Sequence, residues 1–373
     1  MCLWVDLMEK DLGYRKIQCT GRGAYIVSLP KDWVEKIGME KGSELAFKLL
    51  DEAKMILIPR KVLESKGEVV EKFRLREYLV TVKTGEDPQM VCRKIKALYL
   101  IGADIIKVHI KNESEFAMYN TAIGNLIKNA LLGSEIIETT FNDITIQILV
   151  NHPTFSVEKA IRRMATIVLL ASEKLSESLA NMDEEAFRSI KEICSDANRL
   201  NLYVIRQLKY GIVRNLYKEM GLKSPKEFIL YRMIAQNIKD IAENIGKVVD
   251  TFETFKSLIH KQILFLKETF DEEAYSQIYN FTFSAHKMFE ESVKALFKRD
   301  YEQADKIICQ LEPLMRLEDE LLILLLSKKM DPNLSLLLRL VFDNARRIID
   351  YSQDIAELTL NLTVEEAVET LAA

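Results

Sequence analysis

The chain has 373 residues, room for two or three domains, with 48 % hydrophobic and 29 % charged residues, the balance of an ordinary globular protein. A formal net charge of −4 excludes a protein that coats a polyanion with its whole surface. Five scattered cysteines without a C-x-x-C pair, and four isolated histidines, fit a reducing compartment and buried thiols better than a zinc or disulfide framework.

The first unit is read over residues 12–61. "YRKIQCT" alternates as a strand, "GRG" turns, and "AYIVSLP" is a second strand closed by Pro30. "KDWVEKIG" is one or two helical turns ending at Gly38. "MEKGSELAFKLLD" and "EAKMILIPR" each give a turn and a strand, the last stopped by Pro59. This β-β-α-β-β unit is too short to bury much apolar surface alone, so it needs a partner. It holds ten basic and six acidic side chains, an excess of four positive charges in a chain whose total is −4. A basic head is therefore joined to an acidic body.

Residues 62–72 are polar and read as a linker or short helix. Residues 73–152 read as an α+β module. Its strands are "FRLREYLVTVK", "ADIIKVHIK", "SEIIETT" and "DITIQILV"; its helices are "PQMVCRKIKALYLIG" and "EFAMYNTAIGNLIKNALLG". Two helices cover one face of a small sheet. No phosphate loop, G-x-G-x-x-G or nucleophile motif occurs there.

From Phe155 onward only helical periodicity remains. Helices are predicted over 155–181, 184–211, 225–252, 253–297, 301–328 and 333–360, with short loops that imply antiparallel neighbours. "IKDIAENI" and "IIDYSQDI" form an internal repeat whose aspartates are Asp240 and Asp350. Each lies on the last helix of a three-helix set, so two tandem bundles are expected, 153–252 and 253–362. "LLILLLSKK" is a core helix segment. No apolar run approaches the roughly 18 residues of a membrane span. The acidic N-terminus "MCLWVDLMEKD" lacks a basic signal region, and a cytoplasmic protein is expected.

The segment "RKIQCTGRGAYIVSLPKDWVEKIGMEKGSELAFKLLDEAKMILIPR", with Leu29-Pro30-Lys31 and the Gly38 to Gly42 spacing, resembles an AbrB/SpoVT-type domain. The resemblance implies a swapped-hairpin β-barrel completed by a second copy, hence a homodimer or larger assembly. It also implies contact with double-stranded DNA through Arg15, Lys16 and Arg22, with Lys31 beside them. Basic side chains there suit phosphate contacts, which supply affinity and salt dependence but little sequence choice. Plain solvated charge is the competing reading of these positions.

The helical tail, 155–360, is similar to PhoU, and the combination with this head resembles the archaeal-type PhoU-like phosphate uptake regulators. That resemblance implies carboxylates spaced by four residues, which share one helix face and face a metal cluster, divalent or iron-type. In bundle one it points to Glu192, Asp196, Asp240 and Asn244; Gln236 replaces a glutamate there. In bundle two it points to Asp350 and Asp354; Arg346 replaces the glutamate, and an Arg346–Asp350 ion pair is the simpler reading. On the second helix of bundle two the candidate is Glu312, whose register Pro313 disturbs. A solvated or salt-bridged helix face competes with every one of these assignments. Cys194 is turned to a different face from Glu192 and Asp196, and the four histidines lack paired ligand spacing.

The resulting expectation is a mainly α protein with a small β head, a central α+β module and tandem three-helix bundles. Its expected function is DNA-binding transcriptional regulation of phosphate uptake. The alternative is a dimeric adaptor docking on a phosphate transporter or signalling partner without DNA. A metalloenzyme is the weakest reading, because no base, nucleophile or closed ligand set can be named, and no catalytic residue is assigned.

Overall fold

A glycine in the left-handed region sets the middle of the first unit, Met1–Arg74. Gly38 (φ 66°) ends helix α1 (Lys31–Lys36). Its N–H donates to the Glu35 carbonyl and that of Met39 to the Val34 carbonyl, the double bond that satisfies the last carbonyls of a helix. The structure, a computed structural model, describes residues 15–19, 23, 25–49, 55–60, 75–150, 155–178, 183–214, 216–261, 272–327 and 331–368. The linker expected at 62–72 lies outside them.

In the first unit β1 (Gln18–Cys19) pairs antiparallel with β2 (Tyr25–Ile26). β3 (Leu45–Leu49) pairs antiparallel with β4 (Met55–Pro59), Leu45 opposite Pro59. The described strands of one chain make two separate two-stranded sheets, without closing a barrel. α1 buries no residue, and Ile17, Tyr25, Ile26, Phe47 and Met55 are between 52 % and 77 % exposed. A lone hairpin is marginal in water. This unit leaves uncovered the side chains its β pattern should bury.

The second unit, Leu75–Ala373, opens with a four-stranded sheet of order β5-β6-β8-β7. Its strands are β5 (Glu77–Val82), β6 (Ile105–Ile110), β7 (Ser134–Thr139) and β8 (Asp143–Ile148). β5 and β6 are parallel because helix α2 (Pro88–Leu100) crosses between them; the other pairs are antiparallel. Asp87 caps α2, accepting from the Gln89 N–H at 3.0 Å, with Pro88 at the first helical position. Alternation places Val80, Val82, Ile106, Val108, Ile144 and Ile146 in one core with Ile95 and Tyr99 of α2 and Tyr119 and Ile123 of α3 (Phe116–Ala130). Gly133 (φ 73°) turns the chain into β7 where a Cβ would lie 1.5 Å from Val150 Cγ2.

The rest of this unit is helical: α4 (Val157–Ser178), α5 (Glu184–Arg214), α6 (Glu227–His260), α7 (Glu272–Lys298), α8 (Tyr301–Cys309), α9 (Leu311–Ser327) and α10 (Pro332–Ala367). α4, α5 and α6 pack on one another, as do α7 to α10, and a single apolar core runs through both groups. α6 runs unbroken through position 252, where the sequence reading separated the bundles. The helix expected over 301–328 is interrupted at Gln310. Pro313 is the physical reason: it lacks an N–H and its ring crowds the preceding turn. The two repeat helices, α6 and α10, lie along each other. Lys223, just before α6, pairs with Glu366 near the end of α10, so they run antiparallel.

Candidate functional site

In the first unit Arg15 and Lys16 lead into β1 and are exposed. Lys31, the first residue of α1, lies 3.6 Å from Glu35, one turn on, with 85 % of its side chain exposed. Arg22 lies outside the described residues. Beside these, Arg60 pairs with Glu44 across the start of the β3–β4 hairpin. The described basic side chains of the head are thus solvent-facing, and at least two have acidic neighbours.

In the helical body three of the expected carboxylates, Asp196, Asp240 and Asp350, are held by cations or amides of this chain. Asp240, four-fifths buried, accepts from Gln236 Nε2 at 2.9 and 3.0 Å and from Lys239 Nζ at 3.2 Å. Gln236 in turn accepts from Arg232 Nη1 at 3.1 Å. Lys239 also reaches Glu243, and its amine is raised by these two carboxylates against the opposing effect of burial. Asn244 is buried and donates to the Asp240 carbonyl at 2.7 Å, while its Oδ1 has no hydrogen-bond partner. Asp196 on α5 is exposed and pairs with Arg199 at 3.3 Å; Glu192 is exposed. Cys194, between them, packs on the core instead, and burial pushes its thiol up to about 12.

The second bundle departs further from a metal centre. Arg346 donates from Nε to Asp350 Oδ1 at 2.9 Å and from Nη1 to Glu318 Oε2 at 3.2 Å. Glu318 is buried. A guanidinium therefore sits between the carboxylates that a cation would need. The Arg346–Asp350 pair is present, as the four-residue spacing implied. Glu312 pairs with Arg316 on its own helix and does not join them. Asp354 lies at the surface, where partial desolvation and the neighbouring Glu357 and Asp350 push its carboxyl up. Among the described residues no three His, Cys, Asp or Glu side chains come together as a metal would require. The donors present, Asp240 under an amide and an ammonium and Asp350 under a guanidinium, do not fit a divalent cation in this arrangement.

Sequence reasoning missed Glu318. Its signal was present, since it stands within the apolar stripe of Leu314, Leu317 and Leu321, where a lone carboxylate needs a buried partner. Arg206 was also missed. It is 3 % exposed on α5, donates from Nη1 to the Tyr99 carbonyl at 2.8 Å and lies 3.6 Å from Asp104. Among the described residues the histidines do not cluster. His109 meets Asp143 at 2.8 Å, His260 ends α6, His286 is partly buried with Nδ1 unpartnered, and His152 lies outside the described residues.

Two family models match separate stretches of the chain. The family model for the antidote-toxin recognition protein MazE, a bacterial antitoxin, matches residues 20–64. The PhoU domain model matches residues 281–359, from α7 into α10. No curated protein matches the chain. Among solved structures, the phosphate transport system regulatory protein PhoU from Streptococcus pneumoniae is similar at 14 % identity and a TM-score of 0.46, over 57 % of this chain and 96 % of that one. PhoU from Pseudomonas aeruginosa is similar at 16 % identity and 0.41, over 55 % and 94 %. The chain carries a MazE/AbrB-type antitoxin domain at its N-terminus and a PhoU domain in its C-terminal region. No helix among the described residues is long and apolar enough to cross a membrane.

Proposed function

We propose that this protein regulates phosphate uptake as a transcriptional regulator, its head pairing with a second copy and binding double-stranded DNA through Arg15, Lys16, Arg22 and Lys31. One observation carries the pairing: Ile17, Tyr25, Ile26, Phe47 and Met55 remain exposed in one chain, although each stands on or beside a strand. A second copy interleaving its hairpins would bury that surface, which is the favourable term in association. The positive excess of residues 12–61 and the MazE family match support the nucleic-acid reading. The phosphate assignment rests on the PhoU domain match at 281–359. The helical body then acts as the sensor or docking surface. A ligand or partner on it changes the head only through different affinities for two arrangements of the protein.

A second reading, a dimeric adaptor for a transporter or signalling partner without DNA, draws on the acidic neighbours of Lys31 and Arg60. Neither reading uses a metal or a catalytic step. Fluorescence anisotropy of the full chain on its own promoter region, with competitor DNA and a salt series, separates them. The regulator predicts selective binding that weakens steeply with salt and is lost in Arg15→Ala plus Arg22→Ala. Binding no better than competitor, from a protein still dimeric, leaves the head as a pairing device and selects the adaptor.

A further inference from the structure

The four-stranded sheet has two edges, and the protein treats them differently. β7 carries Glu135 and Glu138 and a register irregularity between Ile136 and Glu138, devices that discourage a further strand. β5 has no such irregularity, and its one charged residue, Glu77, stands at its end. It reads Glu-Tyr-Leu-Val-Thr-Val without a bulge, proline or central charge, and among the described residues it is paired only on its β6 side. Beside it, an apolar groove of about 430 Å³ opens between β5 and α2, lined by Val80, Ala97, Leu98 and Ile101 among others. Leu79 is 67 % exposed and Ile101 43 %.

We propose that this edge is an interface between two copies of the chain, β5 pairing antiparallel with β5 of the second copy about a two-fold axis through Val80. The charges of the strand select that occupant and that register. Centring the pair on Val80 sets Glu77 of each copy opposite Lys83 of the other, both on the open face of the sheet. A shift of two residues either way sets Glu77 opposite Thr81 or Gly85 and loses both pairs. Glu77 already lies 3.3 Å from Lys107, so it would stand between two ammonium groups. On the other face Tyr78 meets Val82 and Val80 meets its own copy, continuing the apolar core across the axis. The same axis brings α2 alongside its copy and closes the groove. Such an isologous contact is self-complementary, as a closed two-fold requires.

This interface is separate from the head. It rests on the proposed function only in that head pairing, a short stretch of chain away from Glu77, would raise the local concentration of the second β5. Hydrogen–deuterium exchange on the full chain reads each strand individually. At concentrations where light scattering shows a dimer, β5 amides should exchange at least tenfold more slowly than those of the blunted edge β7. Glu77→Lys should abolish the difference, and Glu77→Lys with Lys83→Glu should restore it, while the central strand β6 stays protected throughout and reports that the fold is intact. A Leu79→Cys/Thr81→Cys variant should in addition form a 79–81 disulfide between copies, located by peptide mapping. A dimer whose β5 exchanges as fast as β7 and whose 79–81 pair never cross-links overturns the β5 interface and leaves head pairing standing. A monomer with fast β5 exchange overturns both.

Discussion

Arg206, on α5, donates its Nη1–H to the Tyr99 carbonyl at 2.8 Å, tying the helical body to the end of α2 in the sheet module. The guanidinium also lies over the Tyr99 ring, 5.1 Å from its centroid, and 3.6 Å from Asp104. Leu202, one turn earlier on α5, is buried in the core of the sheet module. One charged and one apolar contact thus make sheet and helices a continuous structure. A buried charge whose partner is deleted costs several kcal/mol, whereas replacing both partners by well-packed apolar side chains costs less. Arg206→Ala should destabilise by about 3 kcal/mol in urea unfolding. Arg206→Met, which keeps the packed stem, should lose less, and the loss common to both variants reports the missing contacts to Tyr99 and Asp104.

The Arg346 bridge should behave in the same way. Arg346→Ala leaves the buried Glu318 carboxylate unpaired and should cost about 2 kcal/mol. Replacing Arg346 and Glu318 together by methionine should recover most of that loss. Because the guanidinium sits where a cation would, added Mn²⁺ should leave the melting temperature of the unmodified protein unchanged. A rise of several degrees with Mn²⁺ would place a metal in the body and overturn the assignment of these carboxylates to ion pairing.

Glu290 gives the protein an acid-sensitive contribution. Hydrogen bonds from Lys294 and Lys287, at 2.8 and 3.0 Å, hold its carboxyl down to about 2. A depressed carboxyl stabilises the fold above its unfolded value and loses that contribution as pH falls through the folded one. The advantage of the native protein over Glu290→Gln should therefore be complete near neutral pH and disappear between about pH 4.5 and about pH 2. Its size should be about 1 kcal/mol, since the pair is partly exposed and screened. Urea midpoints measured across that range for both proteins test it.

Thiol labelling should follow burial. Cys309 is exposed, whereas Cys194 packs on the helical core and Cys92 is buried in α2, the thiols of both raised chiefly by burial. The thiolate is the reactive form. Iodoacetamide at pH 8 should modify Cys309 in the native protein and reach Cys92 and Cys194 only after denaturant is added. Peptide mapping by mass spectrometry distinguishes the sites.

Gly133→Ala should be the costliest single methyl in the sheet module. The position has φ 73°, and the new Cβ would overlap Val150 Cγ2. Strain and overpacking together should cost about 2 kcal/mol or more. A second change, Val150→Ala, should return part of that loss by removing the clash, while the conformational strain persists. Thermal unfolding of the single and double variants separates the two causes.

Several elements were legible in the sequence because their causes are local. The 2.0 and 3.6 periodicities located the strands of the sheet module and most of the long helices, and Gly38 marked a helix stop by backbone conformation alone. Arg346 and Asp350, one turn apart, could be paired from spacing. Glu318 could not be matched to Arg346, nor Arg206 to Tyr99, because those partners meet only when distant segments pack. The same limit hid the continuity of α6 through position 252, where neighbouring helices rather than local propensity set the end.

The basic head, the β-to-α order, and the glycines and prolines that punctuate it are properties of residues close in the chain and follow from local pattern. The tertiary structure decided which carboxylates face cations, which face of the sheet is covered and which edge is open. Those outcomes depend on register between segments far apart in the chain, which no local pattern encodes.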